Sequence, residues 1–358
     1  MWNTSSLTPN DTIITTNQTV ASIYSSTVQP SISDEDGVWG PKRDALYIVI
    51  PLTIIYGAIL VVGSIGNVST CVVIARNKSM HTATNYYLFS LAVSDLLLLM
   101  AGLPYEMYAL WYKYPYLFGE AFCVMQGLAA ETSANATVLT ITAFTIERYV
   151  AICHPFLSHT MSKLSRAVKY IIAIWLLALC LAIPQAMSVG LVYGPRADGG
   201  TDSTVCVCGV VETPLVPRAF ELSSLICFLA PMLLISVLYA LIAAQLHRAR
   251  ILSGSGRRKR TPGGVRNAQQ KATRHVVRML VAVVAGFFVC WAPFHAQRLL
   301  AIYYDVSSGP TVVAIYKILT YVSGVLYYAS TCVNPLLYNI MSNKFREAFK
   351  KRYDSKIL

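Results

Sequence analysis

The chain is poor in charge. Asp, Glu, Lys and Arg make up 13% of its 358 residues, where a soluble domain averages about a quarter. With 55% apolar residues besides, this composition excludes an ordinary soluble domain and points to a membrane protein. Acid is scarcest: there is no Asp or Glu between Arg248 and Tyr304. No internal repeat is visible, which argues against transporters built from inverted repeats. The six histidines, His81, His154, His159, His247, His275 and His295, show no metal-ligand spacing, which argues against a membrane metallohydrolase. No enzymatic activity and no nucleic-acid partner are expected. Residues 1–46 lack the apolar core of a signal peptide, so the first apolar run is expected to act as its own insertion signal. The segment after Met341 has no cysteine to carry a palmitoyl anchor.

Long apolar runs are abundant. They cover roughly 47–75, 84–110, 121–152, 168–190, 219–246, 274–303 and 313–340. Each exceeds the ~20 residues that cross a ~30 Å hydrocarbon core. The expected fold is an all-α membrane protein, a seven-helix bundle over 47–341. An outer tail precedes it at 1–46. A short amphipathic eighth helix and tail follow at 342–358, with Phe345 and Phe349 spaced i, i+4 amid Lys and Arg, as suits a helix lying on the inner leaflet.

Charge sets the orientation. Of 29 Lys and Arg, 22 lie in or against the segments between runs 1–2, 3–4 and 5–6 and after run 7, beside only Glu147, Glu347 and Asp354. By the positive-inside rule these segments are cytoplasmic. The inner part is then +19 and the remainder −7. Anionic lipid accounts for the basic interior; the acidic exterior is suited to steering a basic ligand inward. The N-terminus is expected outside a multi-pass plasma-membrane protein. Asn3, Asn10 and Asn17 open Asn-X-Thr/Ser glycosylation motifs on a tail expected to be disordered. Asn67, Asn77 and Asn135 match the motif but fall in membrane or cytoplasm and are discounted.

Ionisable groups inside the runs are functional candidates, because hydrocarbon penalises them. Arg148, between Glu147 and Tyr149, lies 25 residues after Cys123. At ~1.5 Å per residue that is ~37 Å, a bilayer with its interfaces. Cys123 therefore marks the outer face and Arg148 the inner. Asp95 sits near the midplane. Glu106 is eleven residues beyond it, three turns along the same face, and Glu131 lies eight residues below Cys123, ~12 Å into the bundle. Buried carboxylates are costly unless paired. Arg298 is the nearest candidate cation, and a basic ligand group would complete the site. Waters and tyrosines are the plainer alternative.

Other marks recur in a definite order: Gly66-Asn67-Val68, Leu91-Ala92-Val93-Ser94-Asp95, Glu147-Arg148-Tyr149, Trp175, Pro231 with Tyr239, Cys290-Trp291-Ala292-Pro293, and Asn334-Pro335-Leu336-Leu337-Tyr338. Each alone is ordinary packing or a kink. Together the series resembles the rhodopsin-like G-protein-coupled receptors over 47–353. The resemblance implies a disulfide from Cys123 to Cys206 or Cys208, with Cys206 the preferred partner. It implies a sodium ion or a proton on Asp95, shared with Thr137, Ser330 or Thr331, and Asn334; the alternative is a neutral Asp95 bonded to Asn67 and Asn334. It assigns activation and G-protein contact to Glu147, Arg148, Tyr149, Tyr239, Trp291, Pro293, Asn334, Pro335 and Tyr338. No other cofactor is implied.

Within that family, Ala130 stands where amine receptors carry an Asp. The middle of run 7, Val325-Leu326-Tyr327-Tyr328, has no Lys for a retinal Schiff base. The segments Pro104–Tyr108, Pro115–Gly119 and Glu131–Thr137 resemble the neuromedin U receptor group, above all the insect pyrokinin and pheromone-biosynthesis-activating neuropeptide receptors. This implies an amidated Pro-Arg-Leu-type peptide whose arginine enters between Glu106 and Glu131. Phe294, Arg298, Tyr327 and Tyr328 would line the site. Coupling through Gq, phospholipase C and calcium is implied, with arrestin as a further partner. A periviscerokinin-type ligand is the neighbouring reading.

Overall fold

In the computed structural model, the described residues are 42–154, 164–195, 201–211, 218–255, 281, 284–301, 303 and 310–341. Seven helices are seen. Helix α1 spans Leu46–Arg76 and α2 spans Ala83–Trp111. Helix α3 is Gly119–Cys153, α4 is Leu164–Ala186 and α5 runs from Ala219 to Ser255 in three segments. Helix α6 covers residues 284–301 and α7 is Pro310–Met341. Among the described residues five, α1 to α5, are long and apolar enough to cross a bilayer. The expected eighth helix, Asn3, Asn10, Asn17 and the side chain of Tyr338 lie outside the described residues.

Apolar character all round makes these helices, and small differences place them. In α1 the buried residues Val49, Leu52, Tyr56, Ile59, Gly63, Asn67, Thr70 and Ile74 recur every three or four positions, one helical face. Ile54, Val61 and Ile65 on other faces are 57–66% exposed, as a lipid-facing surface requires. Helix α3 is the axis of the bundle. Its residues Thr132 to Val138 are buried without interruption, so it is enclosed on every side.

Small polar side chains join the helices. Trp175 on α4 donates Nε1 to Ser90 on α2 at 3.1 Å, and Ser90 meets Thr140 on α3 at 3.3 Å. Asn135 donates to the Ala178 carbonyl at 3.3 Å. Such bonds act as interhelical glue where the hydrophobic drive between helices is weak. They explain why Asn135 is a packing residue, 2% exposed, despite its glycosylation pattern.

Helix α2 breaks at Gly102 and resumes over Leu103–Trp111 with Pro104 in its first turn, a position where proline loses no helical bond. A Cβ on Gly102 would come 2.6 Å from the Tyr328 hydroxyl, so glycine lets α7 approach here.

The all-α expectation needs one amendment. The connection from α4 to α5 holds an antiparallel hairpin, β1 (Val189–Pro195) and β2 (Thr201–Val210). The fourth run, read as helical to 190, ends at Ala186. Val205-Cys206-Val207-Cys208 alternates two faces, the period of a strand. Val192, Val205 and Val207 pack on Tyr114. Cys206, Cys208, Val189 and Leu191 pack on Tyr116 and Cys123.

Candidate functional site

The disulfide joins Cys123 to Cys208, with Cα atoms 5.7 Å apart. This corrects the preference for Cys206. Cys206 is a free, buried thiol that donates to the Tyr116 carbonyl at 3.5 Å. Residues i and i+2 of a strand share a face, so spacing could not separate the two.

Towards the disulfide end of α3, side chains from α2, α3, α5, α6 and α7 come together in one cluster. Glu131 on α3 forms an ion pair with Arg298 on α6. Both are mostly buried, with side chains 15% and 16% exposed. The Arg298 guanidinium lies 4.6 Å from the Phe220 ring centre and 5.4 Å from that of Phe294. It is thus held by a carboxylate and two aromatic faces. Phe294 stacks on Tyr327 at 4.3 Å, and Tyr327 meets Tyr328 at 5.2 Å. Tyr327 lies in the electrostatic field of Glu131, Arg298 and Glu106 together. The six residues expected to bind ligand therefore converge. They differ in one respect: Glu131 already has a cation. Glu106, half-buried near Tyr56 and Tyr328, has no cation partner among the described residues.

Next to this cluster, Trp291 stacks on Phe287 at 4.6 Å and meets Tyr327 edge-on at 5.0 Å. Its buried indole N–H has no partner among the described residues. The same Tyr327 contacts Phe294 and Tyr328 on one side and Trp291 on the other, so the ring chain is continuous. His295, one turn on, stacks on Phe228 at 4.4 Å and bonds Ser224 at 3.1 Å. Ser224 opens the wide-turn segment Ser224–Leu229 of α5; such bulges recur at functional sites. Pro293 lies between Trp291 and His295.

At the midplane Asp95 is 3% exposed and accepts from Asn334 Nδ2 at 3.1 Å. Thr137 pairs with Ser94 at 2.8 Å, and Ser330 donates to the Tyr327 carbonyl at 2.6 Å. Asn67 donates to the carbonyls of Gly63 and Thr331, each at 2.9 Å, leaving its buried Oδ1 without a partner among the described residues. Asn334 is thus the one expected neighbour bonded to Asp95 in the structure. A buried carboxylate with a single donor among the described residues, set among oxygen-bearing side chains, fits a hard monovalent cation or a proton.

At the inner end Arg148 Nη2 donates to Thr84 at 2.7 Å and lies 3.5 Å from Glu147. Its guanidinium sits 5.2 Å from the Phe144 ring centre, and its buried Nε has no partner among the described residues. Tyr149 packs edge-on against His154 at 5.6 Å. Tyr239 on α5 lies close to Thr145, one turn before Arg148. Pro335 abuts Gly66 of α1. A cavity of about 260 Å³ adjoins Glu147 and Arg148, lined also by Ala83, Tyr87, Ala143 and Ala167.

Sequence reasoning missed a strap on the outer face. The tail was expected to be disordered to residue 46, yet it is held from Lys42 onward. Asp44 accepts from Lys113 Nζ at 2.7 Å and from the Tyr321 hydroxyl. The Lys113 amide donates to the Lys42 carbonyl at 3.0 Å. Arg43 lies 5.7 Å from the Trp111 ring centre. The strap joins the start of α1 to the outer ends of α2 and α7. Burial raises the Asp44 pKa, but donation by Lys113 and Tyr321 outweighs it and holds the carboxyl below its usual 3.8. A depressed carboxylate contributes stability above its unfolded value, and that contribution is lost as pH falls through the folded value. Asp44→Asn should therefore lower the thermal stability of purified protein by a constant amount between pH 5 and 8. The gap to wild type should close only below pH 4. A gap that closes near neutrality would contradict the strap.

The seven-helix layout, the disulfide at the outer end of α3 and the arginine at its inner end coincide with a family match. The model of the seven-transmembrane receptor (rhodopsin) family matches residues 66–338. The pyrokinin-1 receptor of Drosophila melanogaster is 51% identical, the match covering 87% of this chain and 81% of that receptor. Neuromedin-U receptor 2 of Mus musculus is 38% identical over 87% of this chain and 76% of its own. The neuromedin U receptor homologue nmur-2 of Caenorhabditis elegans is 39% identical over 87% and 81%. The chain belongs to the rhodopsin family of seven-transmembrane, G-protein-coupled receptors, as a neuropeptide-receptor homologue of the pyrokinin and neuromedin-U receptors.

Proposed function

We propose that this receptor binds a short peptide ending in Pro-Arg-Leu-amide and signals through Gq, phospholipase C and calcium, with its N-terminus outside the plasma membrane. The observation that carries the reading is the unequal pair of acids. Glu131 is held by Arg298, while Glu106 faces the same tyrosine wall with no cation among the described residues. A peptide guanidinium beside Glu106 supplies the missing charge, with two parallel hydrogen bonds available to a carboxylate. A C-terminal amide brings no carboxylate to repel either acid. The name of the Drosophila relative agrees with this ligand class. The ring chain from Phe294 through Tyr327 to Trp291 gives ligand contact a route to α6, and the resemblance puts arrestin and the sodium ion or proton on Asp95 within the same two-state scheme.

The test is intracellular calcium in cells expressing the chain, challenged with Pro-Arg-Leu-amide and Pro-Arg-Val-amide peptides and their free acids. A nanomolar response to the Leu amide, weaker for the Val amide and lost for the acids, is expected. A stronger response to the Val amide would favour a periviscerokinin-type ligand. Silence to both, with receptor at the surface and a working G-protein reporter, overturns the ligand assignment and leaves the family untouched.

Arg148 has an acid beside it in Glu147, but the chain offers none between Arg248 and Tyr304 to hold it from α6. Ligand-free signalling is the expected result. Inositol phosphate accumulation should exceed an empty-vector control at matched surface density; equality would rule out this consequence.

A further inference from the structure

We infer that the β1–β2 hairpin has two bonded registers, and that Cys206 is a second disulfide partner for Cys123, reached by a two-residue slip of β2. Three independent features point to it.

The first is the sequence of β2. Val205-Cys206-Val207-Cys208 repeats a Val-Cys pair. A one-residue slip would exchange the strand's faces, but a two-residue slip preserves them. Val205 then takes the place of Val207 against Tyr114, and Cys206 takes the place of Cys208 opposite Leu191.

The second is position. Cys206 already belongs to the buried cluster that contains Cys123, with Cys208 packed against it. Its backbone is held by Tyr116 N–H at 2.8 Å, a bond that any residue at that place can accept.

The third is slack in the chain. Tyr193 pairs with Cys206, and the next residue, Gly194, pairs with Asp202. Residues 203–205 of β2 are therefore surplus to the ladder at a bulge. Moving Cys206 opposite Leu191 stretches the four steps from Asp202 to Cys206 over three steps of β1. Four steps reach ~14 Å, and three ladder steps need ~10 Å. The bulge shrinks to one residue, and the pairs Gly194–Asp202 and Pro195–Thr201 stay in place. Gly209 and Val210 then lie beyond Val189, where β1 begins.

The chemistry balances without an oxidant. The Cys206 thiol gives up a proton, and its thiolate attacks Cys123 Sγ. The Cys123–Cys206 bond forms as the Cys123–Cys208 bond breaks, and Cys208 leaves as a thiolate that takes up a proton. The hairpin thus has two covalently distinct positions, displaced by ~7 Å along β2.

The experiment is disulfide mapping of purified full-length receptor by differential alkylation. Free thiols are blocked with iodoacetamide, the protein is reduced, and released thiols are labelled with N-ethylmaleimide. Fragment ions then distinguish Cys206 from Cys208. After incubation in a glutathione exchange buffer, the wild type should show both linkages to Cys123, and Cys208→Ser should show Cys123–Cys206 with near-normal surface expression. Cys206→Ser/Cys208→Ser should fall to the level of Cys123→Ser. A free Cys206 in Cys208→Ser, or a single linkage in the wild type after exchange, overturns the inference.

Discussion

Glu106→Gln should raise the half-maximal concentration of the amidated peptide by ~30-fold or more while leaving surface expression unchanged. Truncating one side of a buried, hydrogen-bonded charge pair costs about 2–5 kcal/mol, and each 1.4 kcal/mol is about tenfold. The substitution keeps shape and removes charge. Because Glu106 has no cation partner among the described residues, the substitution breaks no ion pair seen there. Glu131→Gln is a different experiment. It strips Arg298 of its carboxylate and leaves a guanidinium between Phe220 and Phe294. Breaking such a buried pair costs about 3–5 kcal/mol, so this variant should lose both surface receptor and response. A neutral citrulline in place of the peptide arginine completes a double-mutant cycle. It should cost the wild type as much as Glu106→Gln does, and cost Glu106→Gln little more. Unchanged potency in Glu106→Gln, or full additivity with citrulline, would remove Glu106 from the arginine site.

The features legible in the sequence are those carried by single residues whose burial is expensive. Arg148 and Asp95 stand out because hydrocarbon tolerates neither without a partner. Glu131 and Arg298 could be matched because few charges of either sign lie in the outer halves of the helices. The disulfide was legible only to a pair of candidates, since Cys206 and Cys208 share one strand face. The hairpin itself was hidden, because a short alternating stretch reads equally as loop. The strap was invisible for another reason. Asp44 lies 69 residues from Lys113 and 277 from Tyr321, and no local pattern encodes so distant a pairing. The Ser224 side chain, at the wide turn of α5, likewise bonds His295, 71 residues away.

Gly66→Val should reduce folded receptor at the surface several-fold, with Gly66→Ala intermediate and Gly127→Ala silent. A Cβ on Gly66 would lie 2.9 Å from Pro335 Cβ and 3.2 Å from its Cγ. One turn earlier, a Cβ on Gly63 would lie 2.8 Å from Leu99 Cδ1 and 3.1 Å from Thr331 Oγ1. The two glycines thus set how closely α1 approaches α2 and α7. That spacing is what lets Asn67 bridge to the Thr331 carbonyl and brings Asn334 within reach of Asp95. A proline ring on a packed helix has little freedom to retreat, so α1 itself must shift. Overpacking of this kind costs about 1–3 kcal/mol, and the added loss of a buried amide bond about 1–3 kcal/mol more. Gly127 on α3 has nothing within 4 Å of the corresponding point, so alanine there only improves helix propensity, by up to ~1 kcal/mol. Surface labelling and thermal unfolding of the three variants, side by side, separate close packing from a general intolerance of glycine substitution. Equal behaviour of Gly66→Ala and Gly127→Ala would show that the α1–α7 contact is looser than these distances require.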